Sequence, residues 1–244
     1  MDGIGDILFG PIYSAPQALS LGLRILGVLI MCAALVFLGR RSELGWWLVI
    51  ASFAMSLLSG MLSLPFGFLS SPLGVVLYIV GSWIPLLVGA AVAWYGLLCF
   101  RRAAVAGPMV RDLYLRNFHA TDAAAPLVVA VVFAAAGLIP AMVLNSGSPG
   151  AYGSGPGLSI PLAPLFLSGF LQGFLPAGLV GLAHRSRWAW LLIAASAVFA
   201  MAGIALSARG SVLIFLFMAQ AALALYGFVA WGRLRRDSAV KAGA

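Results

Sequence analysis

The sequence predicts an all-α integral membrane protein in which seven transmembrane helices form two parallel three-helix repeats joined by a linker helix. Three observations predict it: apolar runs of bilayer-spanning length, basic residues gathered on one side, and an internal match at a fixed offset. Of the 244 residues, 63% are hydrophobic and only 8% charged, more apolar surface than a water-soluble globule hides. The formal charge of +8 sits in short clusters between the apolar runs, so it reads as topology rather than as a nucleic-acid surface.

A helix crosses the bilayer core with about twenty apolar residues. On that measure spans are expected at 20–39, 45–63, 74–100, 124–144, 161–183, 188–206 and 211–232. The third run exceeds what a bilayer needs and contains Pro85, which predicts a kink or tilt, and Pro164 and Pro176 mark the fifth as irregular. The chain then divides into an extracellular tail (1–19), a first repeat (20–102), a basic cytoplasmic loop (103–123), the linker helix (124–144), an extracellular Gly/Ser/Pro loop (145–160), a second repeat (161–233) and a cytoplasmic tail (234–244). Asp2 and Asp6 stand where a cleavable signal peptide carries basic residues, so the first span is expected to stay.

Seven crossings place the termini on opposite sides. Arg40, Arg41, Arg101, Arg102, Arg111, Arg116, Arg185, Arg187, Arg233, Arg235, Arg236 and Lys241 then fall together, twelve of the fourteen basic residues, leaving only Arg24 and Arg209 opposite. By the positive-inside rule the N-terminus lies outside and the C-terminus in the cytoplasm.

Laying residues 21–57 on 165–201, an ungapped offset of 144, gives twelve identities in thirty-seven pairs, against roughly three or four from composition alone. Among them are Arg41 with Arg185, Ser42 with Ser186, Trp46 with Trp190 and Ser52 with Ser196. The ends of the third and seventh helices match at an offset of 131, Tyr95-Gly96 with Tyr226-Gly227 and Arg102 with Arg233. Thirteen extra residues around Met61–Leu73 explain the change of offset. A three-helix unit has an odd number of crossings, so the single linker helix makes the two copies parallel.

Trp94-Tyr95-Gly96 leading to Phe100-Arg101-Arg102, Tyr226-Gly227 leading to Trp231 and Arg233, and the basic turns Arg40-Arg41-Ser42 and His184-Arg185-Ser186-Arg187 ahead of tryptophans carry a family signature. In these motifs the chain resembles the bacterial nicotinamide riboside transporters of the PnuC type, which share the three-one-three plan of the SWEET-like carriers. The resemblance is clearest from Leu165 to Arg236, extends to 21–102 and skips the middle. It implies a multi-pass protein of a bacterial-type plasma membrane that carries nicotinamide riboside or a related vitamin or nucleoside, drawn inward by metabolic trapping. The family lines its pocket with asparagines as well as aromatics, whereas this chain has only Asn117 and Asn145, both outside the helix cores.

Polar side chains at membrane depth face a pathway or another helix. Gln172 and Gln220 lie near the middles of the fifth and seventh spans, and their amides suit a carboxamide, a ribose or a heterocycle as well as an interhelical hydrogen bond. Trp46, Trp188 and Trp190 start helices where an aromatic belt also places tryptophan. Trp46 and Trp190 are repeat mates, as a pocket on a two-fold axis requires, and their faces suit a flat ring or a cationic pyridinium. Tyr95 and Tyr226 offer hydroxyls at the cytoplasmic end. These seven residues are the expected substrate site; Ser52, Ser56 and Ser196 read as close-packing residues.

All six acidic residues, Asp2, Asp6, Glu43, Asp112, Asp122 and Asp237, fall in tails or cytoplasmic loops. Proton or sodium coupling normally uses an intramembrane carboxylate, so facilitated diffusion by alternating access is expected. His119 and His184 fall in loops and no catalytic motif is present, so the reading is of a non-enzyme with neither cofactor nor metal. Expected partners are the small-molecule substrate and the bilayer, with anionic lipid at the basic side; a homo-oligomer stays open. A non-transporting scaffold or accessory subunit, or a SWEET-like sugar carrier, are the competing readings.

Overall fold

The computed structural model describes residues 15–62, 79, 83–105, 124, 126–133, 135, 173–206 and 211–243. Six helices organise them: α1 (Ala15–Gly39), α2 (Glu43–Leu62), α3 (Ile84–Val105), α4 (Phe174–Ala183), α5 (Ala189–Leu206) and α6 (Ser211–Gly243). Among the described residues there is no strand.

Four stretches are long and apolar enough to cross a membrane: Ala15–Gly39, Glu43–Leu62, Ile84–Arg102 and Val212–Arg233. Only 22% to 33% of each is buried inside the protein, so most of this apolar surface faces outward and requires lipid. On α6 the outward stripe is Phe215, Met218, Leu225 and Val229, the first of them 63% exposed. Phe174–Ala183 and Ala189–Ala202 are shorter apolar helices. The architecture is that of an all-α membrane protein.

Several boundaries differ from the sequence expectation, for local reasons. Helix α1 is described from Ala15, ahead of the expected 20, and includes Pro16. The expected third helix at 74–100 is described as α-helix only from Ile84, with wider π-helical geometry at Ile79 and Trp83. Pro85, in the first turn of α3, has no N–H to give to the helical ladder. Helix α4 is α-helical from Phe174, after a turn at Gly173, and Pro176 stands in its first turn. The expected tail at 234–244 continues α6 to Gly243, since its alanines and long basic side chains are good helix formers. Of the expected linker helix, 126–133 is described as helical. It packs on α4, with Ala130 and Phe133 against Gly173 and Pro126 near Gly181. The rest of 124–144, the loops, residues 161–172 and Pro164 lie outside the described residues.

The six helices pack in a closed ring in chain order, which the internal sequence match divides into two triplets. In each, the first contacts the second and the second the third: α1 on α2 on α3, and α4 on α5 on α6. Across the triplets, α6 lies against α1 and α3 against α4, so the third helix of each meets the first of the other. Small residues let the backbones approach. A methyl group at Gly96 would overlap the Trp46 ring, and one at Gly227 the Trp190 ring. The core follows the same joints, running from Met31, Leu35 and Leu38 through Trp46 and Leu97 to Leu179, Trp190, Ile193 and Trp231.

Serines tie α1 to α2. Ser20 and Ser59 donate to each other's carbonyls at 3.0 and 2.9 Å, and Ser52 donates to the Gly27 carbonyl at 2.9 Å. Ser56 and Ser196 bond back within their own helices, to Ser52 and Ile193. This is the packing use expected of Ser52, Ser56 and Ser196.

Candidate functional site

The site begins with a turn. After α1, the N–H groups of Arg40, Arg41 and Ser42 donate to the carbonyls of Val36, Leu38 and Phe37 at 3.1, 2.9 and 2.9 Å. After α4, His184, Arg185 and Ser186 donate to Val180, Leu182 and Gly181 at 3.1, 2.9 and 2.8 Å. Every donor and acceptor in the second set lies 144 residues after its counterpart. This is the Schellman closure of a helix, whose left-handed position normally takes glycine. Here it takes arginine twice, with φ of 55° at Arg41 and 62° at Arg185.

The two turns and the ends of α3 and α6 enclose a cavity of about 70 Å³. Leu38 and Arg41 line it from the first turn, Leu182 and Arg185 from the second, and Trp46, Gly96, Phe100 and Trp231 from the neighbouring helices. Leu38 and Leu182, Arg41 and Arg185, and Phe100 and Trp231 are counterparts at offsets of 144, 144 and 131. The cavity therefore lies where the two triplets meet, at their arginine-rich end.

Contacts across the triplets hold it together. The Arg41 guanidinium lies 5.8 Å from the centroid of the Trp231 ring, a cation–π distance, and Trp231 Nε1 donates to the Gly39 carbonyl at 3.3 Å. On the other side, the Tyr95 hydroxyl is 3.5 Å from His184 Nε2, their rings 5.9 Å apart.

Of the expected site residues that the structure describes, only Trp46 lines the cavity. Trp190 is fully buried in the core, edge-on to Trp231 at 5.7 Å, and its Nε1 finds no hydrogen-bond partner among the described residues. Trp188 is exposed and stands 5.6 Å from Phe228. Tyr95 and Tyr226 are exposed on their helices, and only Tyr95 reaches the other triplet. Gln220 is buried, 3% exposed, on the α6 side of the second triplet. Its counterpart at the offset of 131 is Gly89, against which the Phe53 ring packs, and the counterpart of Phe53 at 144 is the buried Ala197. A large and a small residue have changed places at these matched positions. Gln172 lies outside the described residues.

The sequence reading passed over Arg41, Arg185, Phe100 and Trp231 as site residues by assigning the arginines to topology. Their signal was present: both arginines are identities in the 144 alignment, and an aromatic recurs at 100 and 231.

No protein-family model, curated protein or solved structure matches the chain.

Proposed function

We propose that the chain is a passive transporter, crossing the membrane seven times as two parallel three-helix units about a linker helix. Its substrate is nicotinamide riboside or a related small vitamin or nucleoside, as in the PnuC-type carriers its motifs resemble. One observation carries this reading: the same arginine turn occurs in both triplets, with Arg41 and Arg185 lining one cavity, and each triplet seats the same tryptophan on a glycine. Two like units about an axis are what alternating access requires, because rocking one against the other opens each side in turn. A substrate pocket of drug-like size needs about 300 Å³ or more, so a cavity of about 70 Å³ belongs to a conformation closed at this end.

In this account the membrane is a bacterial-type plasma membrane, with the arginine-rich end cytoplasmic. No catalysis, cofactor or metal enters it. The test is uptake of labelled nicotinamide riboside into liposomes reconstituted with the purified chain. Saturable, protein-dependent flux that stops at the concentration equilibrium is expected; zero flux, with a panel of vitamins and sugars also negative, removes the transport reading.

A second reading, a non-transporting scaffold or accessory subunit, is favoured by Gln220, which stands where the first triplet has Gly89. If Gln220→Leu leaves flux of every panel compound unchanged, the amide serves packing alone.

A further inference from the structure

The ring of helices has two joints between the triplets, and the repeat makes them comparable residue by residue. Helix α6 meets α1 at one, and α3 meets α4 at the other. Both joints border the same cavity: Trp231 lines it from α6 and Leu38 from α1, Phe100 from α3, and Leu182 with Ala183 from α4. Whichever joint parts opens that cavity toward the arginine-rich end.

The joints differ in what their side chains can donate. The turn after α1 draws on the carbonyls of Val36, Phe37 and Leu38, and the Gly39 carbonyl takes its bond from Trp231 Nε1 at 3.3 Å. Trp231 is buried, so water competes poorly for that bond, and its ring also meets the Arg41 guanidinium at 5.8 Å. Farther along the same two helices the Cys32 thiol donates weakly to the Leu216 carbonyl at 3.8 Å.

The second joint replaces both donors. Phe100 stands at the position matched to Trp231, and Pro176 at the position matched to Cys32. Neither ring carries an N–H or S–H, so the side-chain bonds that tie α6 to α1 have no equivalent between α3 and α4, whatever else packs there. The Tyr95 hydroxyl does reach His184 Nε2 across this joint, at 3.5 Å, the edge of hydrogen-bonding distance. Both residues are exposed, so water exchanges for that contact at little cost.

We infer that α3 and α4 form the moving seam of the protein and that α6 and α1 form its hinge. The arginine-rich end opens by parting α3 from α4 while Trp231 holds α6 on α1. This rests on the rocking of two units in the proposed function and names the joint at which the rocking happens.

Matched spin-label pairs test it by pulsed electron paramagnetic resonance on the full chain in lipid nanodiscs, with Cys32 and Cys99 replaced by serine. Arg102→Cys with Trp188→Cys spans the seam. Arg233→Cys with Leu44→Cys, the counterparts at 131 and 144, spans the hinge, and all four positions are exposed. The seam pair is expected to show two distances, the longer in roughly a tenth of the molecules, and the hinge pair a single one. Trp231→Phe removes the indole donor and is expected to bring a second, longer distance into the hinge pair; the pairs in the otherwise native chain decide the matter alone if that variant does not fold. Equal spread at both pairs, a wider spread at the hinge, or a single distance at both overturns the inference, as does a folded Trp231→Phe variant whose hinge pair is unchanged. Flux into liposomes with equal motion at both pairs keeps the transport reading and removes the seam, whereas motion confined to the seam without flux of any compound does the reverse.

Discussion

The two helix triplets carry the same backbone at their arginine-rich corner and different side chains just outside it. In the first, Glu43 opens α2 and pairs with Arg101 near the end of α3 at 2.6 Å, both exposed. Arg101 also lies over the Trp47 ring at 5.7 Å, and Trp47 meets Trp94 edge-on at 5.9 Å. In the second, the counterpart of Glu43 is Arg187 and that of Arg101 is Gly232. Arg187 lies in the room that glycine leaves, 2.7 Å from where a Cβ would stand, stacks on Phe228 at 3.8 Å and donates to the Phe228 carbonyl at 3.0 Å. An ion pair does in one triplet what a backbone-bonded guanidinium does in the other.

What stays alike lies at the meeting of the triplets: the arginine turns, and Trp46 on Gly96 beside Trp190 on Gly227. What differs lies away from it, at Glu43 and Arg187, Phe53 and Ala197, Gly89 and Gln220. Ser52 and Ser196 diverge in the same way, one bonding across to α1 and the other back into α5. A helix joint needs only filled volume and satisfied polar groups, which many side-chain pairs supply. A shared axis needs two copies of one geometry.

The comparison breaks most readily at the glycines under the tryptophans. Gly96→Val and Gly227→Val should each destabilise the protein by about 3 kcal/mol, because a side chain there overlaps a buried indole that has nowhere to move. Reversible unfolding in detergent measures both; similar losses support equivalent joints, and a loss at only one ends the equivalence.

A smaller effect sharpens it. Gly89→Gln alone should cost about 2 kcal/mol against the Phe53 ring, and adding Phe53→Ala should recover most of that. The double variant places in the first triplet the residues that the second has at the matched positions, Ala197 and Gln220. Additive losses in the double-mutant cycle show that the two joints are not interchangeable.

Smaller again is Trp190→Phe. It gives up ring area but removes a buried N–H with no partner, a group whose desolvation costs about 1–3 kcal/mol. The net change in unfolding free energy should lie within about 1 kcal/mol of zero; a large loss indicates a partner for that N–H. Least of all is Glu43→Gln, whose effect should be slight and vanish at high salt, since the pair it breaks is exposed. A salt-independent loss contradicts the exposed geometry.

Much of this fold is legible in the sequence because apolar length and repetition are one-dimensional signals. The helices near 20–39, 45–63, 188–206 and 211–232 appear close to where they are expected. The turn pairing could be read from Arg41-Ser42 and Arg185-Ser186, since a duplicated chain closes its helices at duplicated positions. That those arginines line a cavity was not legible, because positive-inside topology predicts the same residues at the same places for another reason. Nor was the fate of the tryptophans: Trp46 and Trp190 are identical letters at matched positions, yet one lines the cavity and the other is sealed in the core. Trp190 stands edge-on to Trp231, which itself lines the cavity, a tertiary contact that no local pattern reveals. Gln220 reads from sequence as a ligand or a packing amide alike, because a buried amide serves either use.

The most direct measurement asks from which face the two arginine turns can be reached. Arg40 and His184 are exposed counterparts at the offset of 144, so Arg40→Cys and His184→Cys, each in a background with Cys32 and Cys99 replaced by serine, can be labelled with a membrane-impermeant maleimide. Both cysteines should react in inside-out vesicles and resist labelling in intact cells. Reaction of the two from opposite faces contradicts two parallel units and removes the axis on which the proposed transport depends.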